Sequence, residues 1–156
     1  MAIYLSQMWF LGHFGLGYFS ALAVSKLTKE KINIPLVWFI SILPDIDFFF
    51  EPLIIHRGPT HSIIIAALAF LPFFLIYRRG LPYFAALLSH SLIGDFLVPP
   101  VQLLWPIDMS WYGINSSLKL TGAMETMLEI SLFAMMIFII ISKNWMATRE
   151  KSSLGS

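Results

Sequence analysis

The sequence predicts an all-α fold: a polytopic membrane bundle of about five transmembrane helices with a metal site toward one face. Composition supplies the first observation. Of the 156 residues 58% are hydrophobic and 12% charged, with a mean hydropathy of +0.77. Soluble domains average about 45–50% apolar and about 25% charged residues. The second observation is spacing, because five apolar stretches are separated by basic or proline-containing breaks. At roughly 20 residues per span, five spans take about 100 of the 156 residues and leave little for a soluble domain. Residues 1–142 are expected to form one integral membrane domain, and 143–156 a polar, disordered tail.

The first span covers about residues 8–24 and is followed by Lys26, Lys29 and Lys31. It is too long and too aromatic for a signal-peptide core and no basic residue precedes it, so it reads as an uncleaved helix. The second covers 34–50, with Pro35 in a first turn that tolerates proline and Pro44 bending or ending the helix before Asp45. The third covers 61–77 and stops at Arg78, Arg79 and Gly80. The fourth covers 81–98 and stops at Pro99 and Pro100. Residues 101–120, with Trp105, Pro106 and Trp111, fit an interfacial or re-entrant loop. The fifth covers 123–141.

Basic residues orient this arrangement. Eight of the ten follow spans one, three or five, which places that face in the cytoplasm, the N-terminus outside and the C-terminus inside. The exceptions are Arg57 and Lys119. A net charge of +1 excludes a nucleic-acid surface, and the absence of cysteine excludes disulfides and thiolate ligands.

The histidines and most acidic residues, which played no part in that orientation, gather toward the exterior. They are His13 in span one, Asp45, Asp47 and Glu51 at the end of span two, His56 in the loop, His61 starting span three, and His90 and Asp95 in span four. Each ionisable residue in a membrane costs about 2.5–3.5 kcal/mol, so several at one depth point to a shared partner. Imidazoles and carboxylates without thiolates suit zinc, manganese, iron or magnesium. Each residue also has a plainer role: His13, among Gly12, Gly15 and Gly17, can serve helix packing, and Asp45 and Asp47 can mark the water interface. In a regular helix Asp45 and Asp47 diverge by about 200°, and His90 and Asp95 by about 140°. Joint ligation therefore requires Pro44 to open the backbone and a kink or π-bulge near Gly94. Glu125 and Glu129 share one face of span five. Glu125 fits either a supporting role at a metal or solvation of the helix end.

The densest cluster is His56-Arg57-Gly58-Pro59-Thr60-His61-Ser62. It reads as a Gly-Pro turn leading to a helix capped by Thr60. Free backbone N–H groups there, with the Arg57 guanidinium alongside, suit a phosphate or carboxylate.

Leu43-Pro44-Asp45-Ile46-Asp47, the His56–Ser62 cluster, Ser89-His90 with Asp95, and Leu104-Trp105-Pro106 together resemble the YdjM-like family of predicted membrane-bound metal-dependent hydrolases. The resemblance spans His13 to about Trp105. It implies a multi-pass prokaryotic membrane protein with His13, Asp45, Asp47, His61, His90 and Asp95 as metal ligands. In that family the fourth-span His and Asp are often four apart; here they are five apart. The order of these residues is also loosely similar to zinc-dependent phospholipases C, which implies phosphate esters as substrates.

The expected activity is hydrolysis of a lipid or lipid-linked phosphate ester near the exterior leaflet. It would use one or two divalent ions, zinc favoured over manganese, magnesium or iron. His56 is the expected general acid or base, its unperturbed pKa lying near neutrality, and Arg57 the phosphate holder. A metal or proton transporter using the same residues, and a non-catalytic structural protein, are the alternatives.

Overall fold

The computed structural model describes residues 10–50, 53–97, 100–114 and 122–154. Glu51 and Lys119 lie outside these residues. Regular structure among them is helical, apart from one isolated antiparallel bridge between Val101 and Tyr112. The helices are α1 (Phe10–Thr28), α2 (Ile34–Ser41), α3 (Ile63–Tyr77), α4 (Leu81–Ser89) and α5 (Gly122–Leu154). Helix α1 is central and packs against α2, α4 and α5.

Two of the five expected spans are broken helices. Helix α2 starts at Asn33, whose Oδ1 accepts the Leu36 N–H at 3.0 Å, and ends at Ser41. Pro44 has no N–H to continue the ladder and disfavours α geometry at the residue before it. The chain therefore tightens into a 3₁₀ helix over Leu43–Phe50. In the fourth span α4 gives way to a π-helix over His90–Asp95. The third starts later than expected. Pro59–His61 form a 3₁₀ turn, which moves the cap of α3 from Thr60 to Ser62, whose Oγ accepts the Ile64 N–H at 3.1 Å.

Among the described residues one helix is long and apolar enough to cross a membrane unaided, over Gly122–Met146. It lies in α5, which continues to Leu154. The tail expected to be disordered from residue 143 is thus helical to that point. It contains no glycine or proline before Gly155 to stop it.

The buried apolar core is small. Ala21, Val37 and Ala86 meet where α1, α2 and α4 pack, ringed by Ile32, Ile40 and Tyr83. Large apolar side chains such as Phe39, Leu68, Ile76, Met127 and Phe138 are exposed, whereas His13, Asp47, His61, His90, Asp95, Glu125 and Glu129 are buried. An apolar exterior around a polar interior reverses the distribution of a water-soluble bundle and suits lipid surroundings.

Close approach of α1 to its neighbours depends on glycine. A methyl group at Gly17 would lie 2.4 Å from Ser41 Cβ, and one at Gly15 would lie 3.1 Å from Leu132. Gly17→Ala therefore pushes α2 away from α1, at a cost of about 1–3 kcal/mol for overpacking. A thermal melt in detergent reads this as a lower midpoint; an unchanged midpoint would mean that α2 yields freely.

Candidate metal centre

The broken helices meet at one point. Asp45 comes from the 3₁₀ segment after α2, His61 from the turn before α3, and His90 and Asp95 from the two ends of the π-helix. His61 Nε2 lies 3.0 Å from Asp95 Oδ2 and 3.5 Å from Asp45 Oδ1. His90 Nε2 lies 3.3 Å from each of the same two oxygens and 3.1 Å from His61 Nε2. The π-helix solves the spacing problem, because an i→i+5 register brings the fifth residue back above the first.

The far side of each ring fixes which nitrogen carries the proton. His90 Nδ1 lies 2.7 Å from the Ser41 carbonyl oxygen. A carbonyl can only accept, so Nδ1 is the donor and Nε2 of the neutral ring is a bare lone pair. Asp47 and Thr60 dictate the same for His61. The Thr60 hydroxyl donates to Asp47 Oδ2 at 2.6 Å and so accepts from His61 Nδ1 at 3.0 Å. With both rings neutral, two imidazole lone pairs and two carboxylate oxygens therefore converge. Four electron donors this close repel one another unless a cation lies among them. Zinc bonded to nitrogen and oxygen at about 2.0–2.2 Å in a tetrahedron has ligands about 3.3–3.6 Å apart. Three of the five observed spacings, 3.3, 3.3 and 3.5 Å, fall in that range, and the other two, 3.0 and 3.1 Å, lie just below it. Asp45, His61, His90 and Asp95 form a group able to hold a metal ion.

The other expected ligands stand around these four. Asp47 is fully buried and receives three donors: His56 Nδ1 at 2.8 Å on Oδ1, and the Arg57 N–H at 3.1 Å and Thr60 Oγ1 on Oδ2. With Asp45 on its Nε2 side and Asp47 3.4 Å from its Nδ1, the ring of His61 is gripped from both ends. Asp45, Asp47 and His56 form a second group of potential ligands. His13 stacks on His90, ring centroids 3.8 Å apart and planes 14° from parallel, with its Nε2 3.9 Å from Asp95 Oδ1. Its Nδ1 is buried without a hydrogen bond.

Arg57 adopts a left-handed backbone conformation, φ 63°, which is unfavourable for a residue with a side chain. Its Nε lies 3.6 Å from Asp95 Oδ1 but makes no hydrogen bond. Arg57 and His56, 14% and 15% exposed, and Asp45, 19% exposed, form the open side of an otherwise buried centre.

The loop after the fourth span closes over this end. Ile63 N–H donates to the Leu103 carbonyl at 3.0 Å, Gln102 N–H to the Arg57 carbonyl at 3.0 Å, and Ser62 Oγ to the Trp105 carbonyl at 2.6 Å. Asp108 accepts from the Tyr112 hydroxyl and from Ser110, which holds its carboxyl below the usual range.

The Ser41 carbonyl and the Thr60 hydroxyl are the contributors that residue types alone did not single out. Pro44 was the signal for the first. Where an α-helix stops, its last carbonyls lose their partners, and Asp45 N–H turns instead to Ile42 at 3.1 Å. On α5, Glu125 is buried with Oε1 unpartnered, which excludes simple solvation of the helix end.

Fold and centre together define a helical membrane protein with a buried His/Asp group able to hold a metal. The chain belongs to the YdjM inner membrane protein family, whose model it matches over residues 8–150. Comparison with curated proteins and with solved structures finds no match.

Proposed function

We propose that the protein crosses the membrane five times and hydrolyses a phosphate ester of a lipid or lipid-linked substrate, using a divalent ion, zinc in the first instance. The observation that carries this reading is the convergence of two histidine Nε2 atoms and two carboxylate oxygens beside an arginine whose Nε has no hydrogen bond. A divalent ion held by Asp45, His61, His90 and Asp95 supplies Lewis acidity toward a phosphoryl oxygen and acidifies water.

The remaining work belongs to the chain. Arg57, at the open side, binds the phosphate through its guanidinium. With Nδ1–H donated to Asp47 at 2.8 Å, His56 takes a proton from water at Nε2 and then returns it to the leaving oxygen. Asp47 holds His56, His61 and the Arg57 backbone in register. Phe49, Leu53, Ile55, Ile107 and Met109 are exposed on the segments flanking the centre, an apolar rim suited to a lipid-borne substrate.

The way successive segments run to and from the centre supports a five-pass path. Helices α1 and α3 lead away from it, α2 and α4 lead back, and α5 is apolar along a membrane-spanning length. The positive-inside rule then sets the N-terminus outside and the C-terminus in the cytoplasm. A transporter would need a polar route onward from the centre; apart from Glu129 and the hydroxyl of Ser89, the buried interior beyond it is formed by residues such as Tyr18, Ala21, Val37, Ala86 and Met136.

The test uses detergent-purified protein, stripped by a chelator and reloaded with zinc or manganese, on a panel of phospholipids and isoprenoid phosphates. Released phosphate or headgroup is expected only after reloading. Turnover in fully stripped protein, or cation flux in liposomes without turnover by loaded protein, would overturn the hydrolase.

A further inference from the structure

The end of the bundle remote from the metal centre holds a cavity of about 850 Å³ between the α1–α2 and α3–α4 turns. Fifteen helical residues separate His13 from Thr28, so at 1.5 Å per residue the two sites lie about 22 Å apart along α1. Lys29, Lys31 and Arg79 line the cavity together with Phe73, Tyr77 and Tyr83. Glu30, the acidic residue among the lining, is engaged: its Oε2 accepts the Gly80 N–H at 2.6 Å. The cavity is therefore left with an excess of two positive charges.

The walls are braced. The Glu30–Gly80 bond ties the two turns together, and the Tyr83 hydroxyl accepts the Asn33 N–H at 2.9 Å. Lys29 (φ 59°) and Arg78 (φ 50°) both adopt left-handed backbone conformations. Phe73 and Tyr77 are exposed on the outer surface of α3, where a chain leaving the cavity would pass into the bilayer. The volume falls in the range of small-ligand sites, about 300–1,000 Å³, and is far larger than one phosphate needs. Basic pockets between membrane helices at a cytoplasmic face suit anionic headgroups.

We infer that this cavity binds the phosphate-bearing headgroup of an anionic phospholipid of the cytoplasmic leaflet, with Lys29, Lys31 and Arg79 holding the phosphate and the aromatic wall the start of the acyl chains. The inference is independent of the hydrolase reading and rests on the proposed orientation, which puts this end of the bundle at the cytoplasmic face. Its test is lipid retention by the full chain in neutral detergent, measured by native mass spectrometry with phosphatidylglycerol and phosphatidylcholine. Parallel measurements on His90→Ala protein remove any loss through turnover at the other site.

Selective retention of phosphatidylglycerol is expected. The triple variant Lys29→Ala, Lys31→Ala, Arg79→Ala weakens it about 100-fold, at about fivefold per cation removed. A control triple outside the cavity, Lys26→Ala, Arg78→Ala, Lys143→Ala, weakens it less than about threefold through general screening. Arg79→Glu, at an exposed side chain, provides a single-site version if the triple is unstable. Equal losses in the two triples, or equal retention of phosphatidylcholine, would overturn the site. Displacement of the lipid by glycerol phosphate at matched concentration would make a soluble phosphate the ligand and overturn the lipid assignment.

Discussion

Purified protein stripped of metal will melt at a lower temperature than reloaded protein, and His90→Ala will erase that difference together with stoichiometric metal binding. The reason lies in the arrangement of protons. Ser41 and Thr60 accept from Nδ1 of His90 and His61, so in the neutral rings both Nε2 lone pairs face two carboxylate oxygens at 3.0–3.5 Å. A ligand that binds only the folded state at a thousand times its Kd adds about 4.1 kcal/mol of stability. Elemental analysis and a thermal melt across a zinc titration measure the two effects together. In His90→Ala the Ser41 carbonyl loses its donor, which costs about 1–3 kcal/mol, so a lower baseline is expected in the variant. What matters is the slope with zinc. A variant that still gains stability and still holds one ion would show that the centre is assembled from other residues.

Arg57→Ala is expected to leave the metal content unchanged and to lower kcat/KM by about 10²–10³, the usual effect of removing one preorganised donor from a developing charge. Arg57→Lys will recover little, because a single ammonium lacks the planar fork that matches phosphate. Arg57→Gly separates stability from activity. It relieves the left-handed backbone at φ 63°, worth about 1–2 kcal/mol, while removing the same guanidinium. Equal activity in wild-type and Arg57→Ala protein, on any substrate that the protein turns over, would remove Arg57 from the site.

Much of this centre was legible from residue types and spacing. Asp45, His61, His90 and Asp95 could be gathered into one layer because helix ends, turn residues and the basic residues between spans are all local signals. The need for a break at Pro44 and a π-bulge between His90 and Asp95 followed from angular arithmetic, and both occur. The division of labour between Asp45 and Asp47 was beyond that arithmetic. Whether the second carboxylate reaches the same centre depends on where Thr60 and His56 come to rest, which their spacing along the chain does not fix. The place of His13 was hidden for a similar reason, since its stacking on His90 depends on how closely α1 approaches α4. Helix continuity was harder still. Expected spans two and four are each assembled from two short pieces, because the residues that build the centre are also those that interrupt the helices.

The π-helix over His90–Asp95 also bears on how this chain can change length. Such a segment amounts to an α-helix carrying one surplus residue. Losing that residue would leave histidine and aspartate four apart on one face of an ordinary helix, still able to share an ion. Because the bulge absorbs the surplus residue, the aspartate, Phe96 and the loop that Phe96 anchors at Ile114 keep their place relative to His90 in either form. A single insertion or deletion between the histidine and the aspartate can therefore be absorbed locally, with the donors and the cover over them left in place.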